Sequence, residues 1–296
     1  MNDFANTLPA IEFDQGLIER YDGRGPRYTS YPTALQFSDA VTEDVYRANA
    51  RQSNASGAPL SLYVHIPFCH SLCYYCGCNK IVTRNQARVE RYMEMLYKEI
   101  GMQAEMFDAT RKATQLHFGG GTPTYLDTQQ MDALMARLGE AFTLDRGEER
   151  EFSIEVDPRT VDGDGLRHLT DLGFNRLSLG IQDFDPQVQE AVNRKQSHAE
   201  VTDLVEAARG AGYKSISFDL IYGLPHQSVE SFNATLDLVI ALLPDRLAVY
   251  NYEHLHERFK GQRMINEADI PLPAKKLDIL HGTIDRLSDS GYLYIG

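Results

Sequence analysis

All four cysteines of the chain fall within ten residues, as Cys69-x3-Cys73-x2-Cys76-x-Cys78. Thiolates are soft ligands, and so compact a group suits an iron–sulfur cluster or zinc. Zinc usually takes two pairs separated by a longer loop, whereas here the thiols share one short stretch. Three thiolates from such a loop can hold a cluster and leave one iron open to a further ligand. Buried, inert thiols are the plain alternative. Cys69, Cys73 and Cys76 are therefore the expected metal ligands. Cys78 is either a fourth ligand that closes the site or a neighbouring thiol with its own role, and the second is expected.

Other residue types that can do chemistry follow downstream. Gly119-Gly120-Gly121-Thr122-Pro123-Thr124 is neither a Walker loop nor a dinucleotide-binding GxGxxG. Its glycines allow close backbone approach to a ligand, or simply make a tight turn. Glu155 is a carboxylate suited to a pair of ribose hydroxyls. Gln182, Asp183, Arg194 and Asp219 are further polar residues at or after apolar runs. His65, His117 and His254 are read as hydrogen-bonded structural histidines, and none is expected to bind metal.

Elements that could gather these residues are visible in the pattern. Short β-rich runs cover residues 61–66, 115–118, 151–156, 176–181, 215–221 and 246–250. Between them, apolar residues recur at helical spacing: Val89, Tyr92, Met93, Leu96 and Ile100; Met131, Leu134, Met135, Leu138 and Phe142; and Val229, Phe232, Leu236 and Val239. Two shorter helices stop at Gly173 and before Gly212, where glycine suits the C-terminal cap. Six βα units in a row imply a parallel sheet with right-handed crossovers. In a parallel barrel the residues that follow the strands gather at one mouth. Another helix is expected over 274–288, and residues 291–296 read as the start of a strand, so the chain is expected to be a truncated form. Residues 1–55 read as an irregular arm, because Gly25-Pro26 and Pro32 interrupt any regular element. The rest, 56–296, reads as one α/β domain.

A net charge of −13 over 296 residues argues against nucleic acid or an anionic membrane as the main partner. No apolar run reaches the roughly 20 residues that span a bilayer. The opening residues lack the basic and apolar regions of a secretory signal. Clustered thiols in that setting read as a cytoplasmic metal site.

The spacing Cys69-x3-Cys73-x2-Cys76 is the signature of radical S-adenosylmethionine (SAM) enzymes. With Arg27-Tyr28-Thr29-Ser30-Tyr31-Pro32, the Cys76-x-Cys78 ending and the segments 63–69, 117–125, 153–158, 177–184, 219–225 and 244–252, the chain resembles the oxygen-independent coproporphyrinogen III oxidases of haem biosynthesis. The resemblance covers nearly the whole sequence. It implies a partial parallel (β/α)6-type radical SAM barrel, a [4Fe–4S] cluster and two SAM molecules. It also implies oxidative decarboxylation of two propionates of coproporphyrinogen III, to give protoporphyrinogen IX. Residue by residue, it gives Tyr63, Gly120 and Glu155 to a cluster-bound SAM. Tyr75, Gly121, Thr122, Gln182, Arg194 and Asp219 go to a second SAM, and Arg24 and Arg27 face the substrate carboxylates. Flavodoxin or ferredoxin is the kind of electron donor implied, and the protein is expected to be monomeric. Related haem chaperones share the cluster motif, and a haem-binding protein is the alternative. The chain departs from the family pattern in Glu253, where alanine is usual, and in Tyr75, where phenylalanine is common. Glu253 adds a carboxylate beside the second SAM position. Family members also run beyond residue 296, so the chain is expected to keep the cluster with weakened turnover.

Overall fold

The structure, a computed structural model, describes residues 13–21 and 32–295. Six long strands, β1 (Leu60–Ile66), β2 (Lys112–Gly120), β3 (Glu151–Val156), β4 (Arg176–Gln182), β5 (Ser215–Tyr222) and β6 (Arg246–Asn251), pair in chain order. Every neighbouring pair is parallel. Among the described residues the sheet is open, since β1 and β6 form its two edges. A two-residue strand, Thr143–Leu144, adds to β2 at its start. This is the partial parallel barrel that the alternating pattern implies.

Parallel strands need both faces covered, and these strands cover them unequally. In β4, Leu177, Leu179 and Ile181 are buried, while Arg176, Ser178, Gly180 and Gln182 are half-buried. β3 and β5 alternate in the same way, with Phe152, Ile154 and Val156, then Phe218 and Leu220, in the core. The core-facing residues meet α3 (Gln86–Ala104), α4 (Thr128–Ala141), α5 (Gly163–Asp171), α7 (His198–Gly210) and α8 (Val229–Ala241). The opposite face carries Ser153, Glu155, Ser178 and Asp219. Phe118 and Phe174, both fully buried, meet edge to face at 5.1 Å across the sheet–helix layer.

Local sequence sets the helix ends. Asp127 with Gln130, Ser197 with Glu200 and Ser228 with Ser231 form capping boxes that start α4, α7 and α8. Gly173, at φ 107°, turns the chain back after α5, as a left-handed position requires. The last helix, Pro273–Asp289, extends the expected one by a residue at each end.

Two expectations differ. The arm read as irregular carries two helices, Gln15–Tyr21 and, in its last quarter, Glu43–Ser56, the latter capped by Thr42 and closed by Gly57 at φ 64°. Only Ala50 of this helix is buried, so it has no apolar stripe to announce it. It is held instead by polar bonds: Arg111 donates to Asn54 Oδ1 at 2.8 Å and to the Ala58 carbonyl at 2.7 Å. The expected strand after Gly291 is not formed, for residues 292–295 have no ladder partner. Arg24 and Arg27 lie outside the described residues. Among the described residues, no helix is long and apolar enough to cross a membrane.

Truncating Phe174 to alanine should remove the edge-to-face partner of Phe118 and open a cavity. The expected cost is about 3–5 kcal/mol, read as a lower midpoint in urea with an unchanged slope.

Candidate active site

The cysteine loop leaves β1 at Pro67 and returns beside it. Phe68–Cys69 pairs in parallel with Ile81–Val82, and Ile81 N donates to the Pro67 carbonyl at 2.7 Å. The loop is pinned elsewhere by the exit of the short helix α6 (Pro186–Ala191). There Tyr74 N donates to the Val192 carbonyl at 3.0 Å, and Asn193 Nδ2 to the Leu72 carbonyl at 2.8 Å. Cys69 and Cys73 are buried, Cys76 is half-buried and Cys78 is exposed, and none is in a disulfide.

All four thiols line one cavity of about 450 Å³ at the mouth formed by the strand ends. Gly120, Gly121, Thr122, Glu155, Ser178, Gln182, Arg194 and Asp219 share its wall with Tyr75. The open end of the sheet, the glycine loop and the cysteine loop therefore meet in one place, although 150 residues of sequence separate Cys69 from Asp219 (219 − 69).

Charged donors surround the buried sulfurs. Thr122 Oγ1 donates to Cys69 Sγ at 3.5 Å. Arg194 Nη1 and Arg159 Nη2 both reach Cys73 Sγ, at 3.5 and 3.6 Å. Asp157 holds both guanidiniums, at 3.0 Å to Arg194 and 2.6 Å to Arg159. Burial pushes the Asp157 pKa up, but the two arginines override it and hold it at about 2. The second Arg194 nitrogen donates to the Gly180 carbonyl at 2.6 Å. Arg194 Nε is buried with no partner, so this side chain keeps one donor unspent. Cys76 is shifted the other way from Cys78. The Cys78 thiol donates toward it, which lowers the Cys76 pKa and raises that of Cys78. Lys80 Nζ donates to the Cys76 carbonyl at 2.8 Å.

Glu155 is fixed on the polar side. One oxygen accepts from Gly120 N and the other meets His117 Nε2, both at 3.2 Å. His117 Nδ1 bonds Ser153 Oγ at 2.6 Å, and the Tyr63 ring stacks over the His117 ring at 5.7 Å. Tyr63 is 60 % exposed, bonds His65 Nδ1 at 3.0 Å, and is not among the cavity-lining residues. Burial first, and then the nearby Glu155 charge, raises the Asp219 pKa to about 6, against a hydrogen bond from Ser178.

The glycines are required for a reason other than ligand approach alone. A Cβ on Gly121 would come within 2.6 Å of the Pro67 carbonyl oxygen, and one on Gly120 within 2.7 Å of the His65 ring. The glycine loop thus packs directly on the end of β1. Gln182 adopts φ 68° at a break in the β4–β5 register, which turns it into the cavity.

The expected residues Cys69, Cys73, Cys76, Tyr75, Gly120, Gly121, Thr122, Glu155, Gln182, Arg194 and Asp219 come together. Glu253 does not join them: its side chain is exposed and outside the cavity wall. Sequence reasoning missed Arg159, Lys80, Ser178 and Gln262. Arg159 had a signal, because it follows Asp157-Pro158 directly after β3. Gln262 had none. It is 2 % exposed and donates to the Tyr75 carbonyl at 3.0 Å, bracing the loop from behind.

Two consequences follow for stability. Arg194→Ala removes the buried partner of Asp157, leaves it to Arg159 alone and should cost about 3 kcal/mol, whereas Arg159→Ala, at a more open position, should cost about 1 kcal/mol; urea unfolding separates them. Asp219 has a folded pKa near 6 against an ordinary value of 3.8, so its contribution to stability is full below about pH 4 and is lost as pH rises through 6. Asp219→Asn should be more stable than the parent by about 3 kcal/mol at pH 8, with the difference closing toward pH 4.

Comparison with known proteins agrees with this geometry. The family model described as "Radical SAM superfamily" matches residues 63–239. The oxygen-independent coproporphyrinogen III oxidase of Pseudomonas aeruginosa is 50% identical over 289 residues, covering 98% of this chain and 63% of its own. That of Escherichia coli is 52% identical over 291 residues, covering 98% and 62%. The solved structure of the coproporphyrinogen III oxidase from Escherichia coli, described as a radical SAM enzyme, superposes with a TM-score of 0.89 at 50% identity, covering 97% of this chain and 63% of that one. The chain thus spans less than two thirds of the length of these relatives. With three thiols on the x3-x2 loop, set in the mouth of a parallel sheet and matched by the family model over most of that sheet, the chain belongs to the radical SAM superfamily.

Proposed function

We propose that this chain carries the radical-generating part of an oxygen-independent coproporphyrinogen III oxidase, acting in haem biosynthesis. The observation that carries the proposal is the shared cavity of the cysteine loop, glycine loop and Glu155, on a chain half identical to oxidases of that name along 98% of its length. Membership of the superfamily implies a [4Fe–4S] cluster and SAM.

The donor set fits such a cluster. Cys69, Cys73 and Cys76 would hold it, with soft sulfur already facing Thr122, Arg159 and Arg194. When bound, cluster and SAM would supply the radical chemistry that hydrogen removal from a substrate propionate needs.

The chain's own residues have the remaining tasks. The Asp157 carboxylate fixes two guanidiniums, both of which reach the Cys73 sulfur. Glu155, already oriented by Gly120 N and His117, has the geometry to accept hydrogen bonds from a ribose diol. Tyr63 flanks it from the His117 side. Asp219, Ser178 and Gln182 offer acceptors and donors on the far wall. Tyr75, Gly121, Thr122, Gln182, Arg194 and Asp219 all line the cavity, which supports a second SAM there, with Glu253 outside it. The radical demands a site sealed from water, and the propionates demand cations. Arg24 and Arg27 are proposed for the second task. Flavodoxin or ferredoxin is the proposed class of donor.

The test is anaerobic. The cluster-loaded chain, reduced and given SAM, should release 5′-deoxyadenosine, and release should rise with coproporphyrinogen III. Cys73→Ala should lose the iron and fall to background. A loaded chain that cleaves no SAM in either condition would sink the proposal.

A further inference from the structure

Behind the cysteine loop lies a second group of ligand-type side chains. His254, His256 and Glu267 hold their ligating atoms within 4.8 Å of one another. His254 Nε2 is 3.3 Å from Glu267 Oε1, and His256 Nδ1 is 3.1 Å from the same oxygen. Metal–ligand bonds of 2.0–2.1 Å in a tetrahedron put neighbouring ligand atoms about 3.3 Å apart. Both distances already match that edge. We propose that His254 Nε2, His256 Nδ1 and Glu267 Oε1 form a zinc-class divalent metal site, with water in the fourth position. This assigns His254 the ligand role that the sequence alone did not suggest.

Three further observations carry the proposal. His256 Nδ1 is sealed from solvent and makes no hydrogen bond, despite its closeness to Glu267. A lone pair facing a carboxylate oxygen at 3.1 Å calls for a cation between the two, a metal or a proton, and the zinc measurement below tells them apart. His254 Nδ1 lies 2.7 Å from the hydroxyl of Tyr252, which is 4 % exposed. With Nδ1–H donating to that oxygen, Nε2 keeps its lone pair for the metal, the arrangement that ligating histidines commonly adopt. The two imidazoles are half-buried with ring centroids 5.0 Å apart, so little ordering remains to be done on binding.

The site would act as a staple. His254 and His256 open, and Glu267 follows, the turn that contains Phe259 and Gln262. Gln262 donates to the Tyr75 and Glu253 carbonyls, and the Phe259 ring lies against Gly77. A metal joining the two ends of this turn would brace the cysteine loop from outside the cavity, without touching the thiols.

The experiment reads zinc, independently of SAM cleavage. The full chain is first loaded anaerobically with its cluster, so that the thiols are occupied, and dialysed against micromolar zinc. Elemental analysis should find one zinc per chain beside the iron. Loss of a ligand should weaken zinc at least as much as loss of an outer partner, about tenfold or more, in both His256→Ala and Glu267→Gln. The exposed Glu267 keeps its shape as glutamine, so that variant serves if His256→Ala misfolds. Cys78→Ser should retain full zinc. Zinc should also raise the thermal midpoint of the parent and leave Glu267→Gln unmoved. Equal zinc in the parent and Glu267→Gln, or no zinc in the loaded parent, overturns the site; loss in Cys78→Ser would assign the metal to the thiols instead.

Discussion

The ion pair between Asp157 and Arg194 ties two strand ends to the cysteine loop. Asp157 ends β3, Arg194 follows α6, and the guanidinium reaches both the Gly180 carbonyl of β4 and the Cys73 sulfur. Two strand ends and the cysteine loop are thereby fixed to one planar group. Such a pair is costly to desolvate and earns little by itself. Its geometry explains its place: Arg159 adds a second positive charge to Asp157, and the Cys73 sulfur accepts from both guanidiniums. Every partner is short-ranged, and the loop cannot shift by an ångström without breaking several contacts at once.

Around that centre the strands divide their faces. Leu177, Leu179 and Ile181 pack under the helices, while Ser178, Gly180 and Gln182 face the opening. A strand period of two residues enforces this division. Polar groups on the inner face would be unsatisfied in a filled barrel. Here they stand around a cavity, where a polar ligand can meet them. The glycine loop serves the same end, for Gly120 and Gly121 let β2 close onto β1 and bring Thr122 over Cys69.

The periphery is held by different means. The helix Glu43–Ser56 sits on polar bonds from Arg111, and the turn around Gln262 braces the cysteine loop through backbone carbonyls. Neither uses an apolar stripe, and neither left a trace in the hydrophobic pattern. Ser178 was overlooked for a related reason: a single small polar residue inside a strand does not say which cavity it faces.

The sequence by itself determined the six parallel strands, the helices between them and the cysteine loop. It could do so because apolar period and thiol spacing are local properties of the chain. Cys69, Cys73 and Cys76 were legible from their spacing and Glu155 and Asp219 from their places at strand ends, whereas Arg194, after a helix, was legible only through the family resemblance. Only the tertiary structure decided that Glu253 lies outside the cavity wall, that Arg194 donates to Asp157, Gly180 and Cys73, and that Glu267 meets His254 and His256. Those outcomes depend on where segments distant in sequence come to rest, which packing settles and no local pattern encodes.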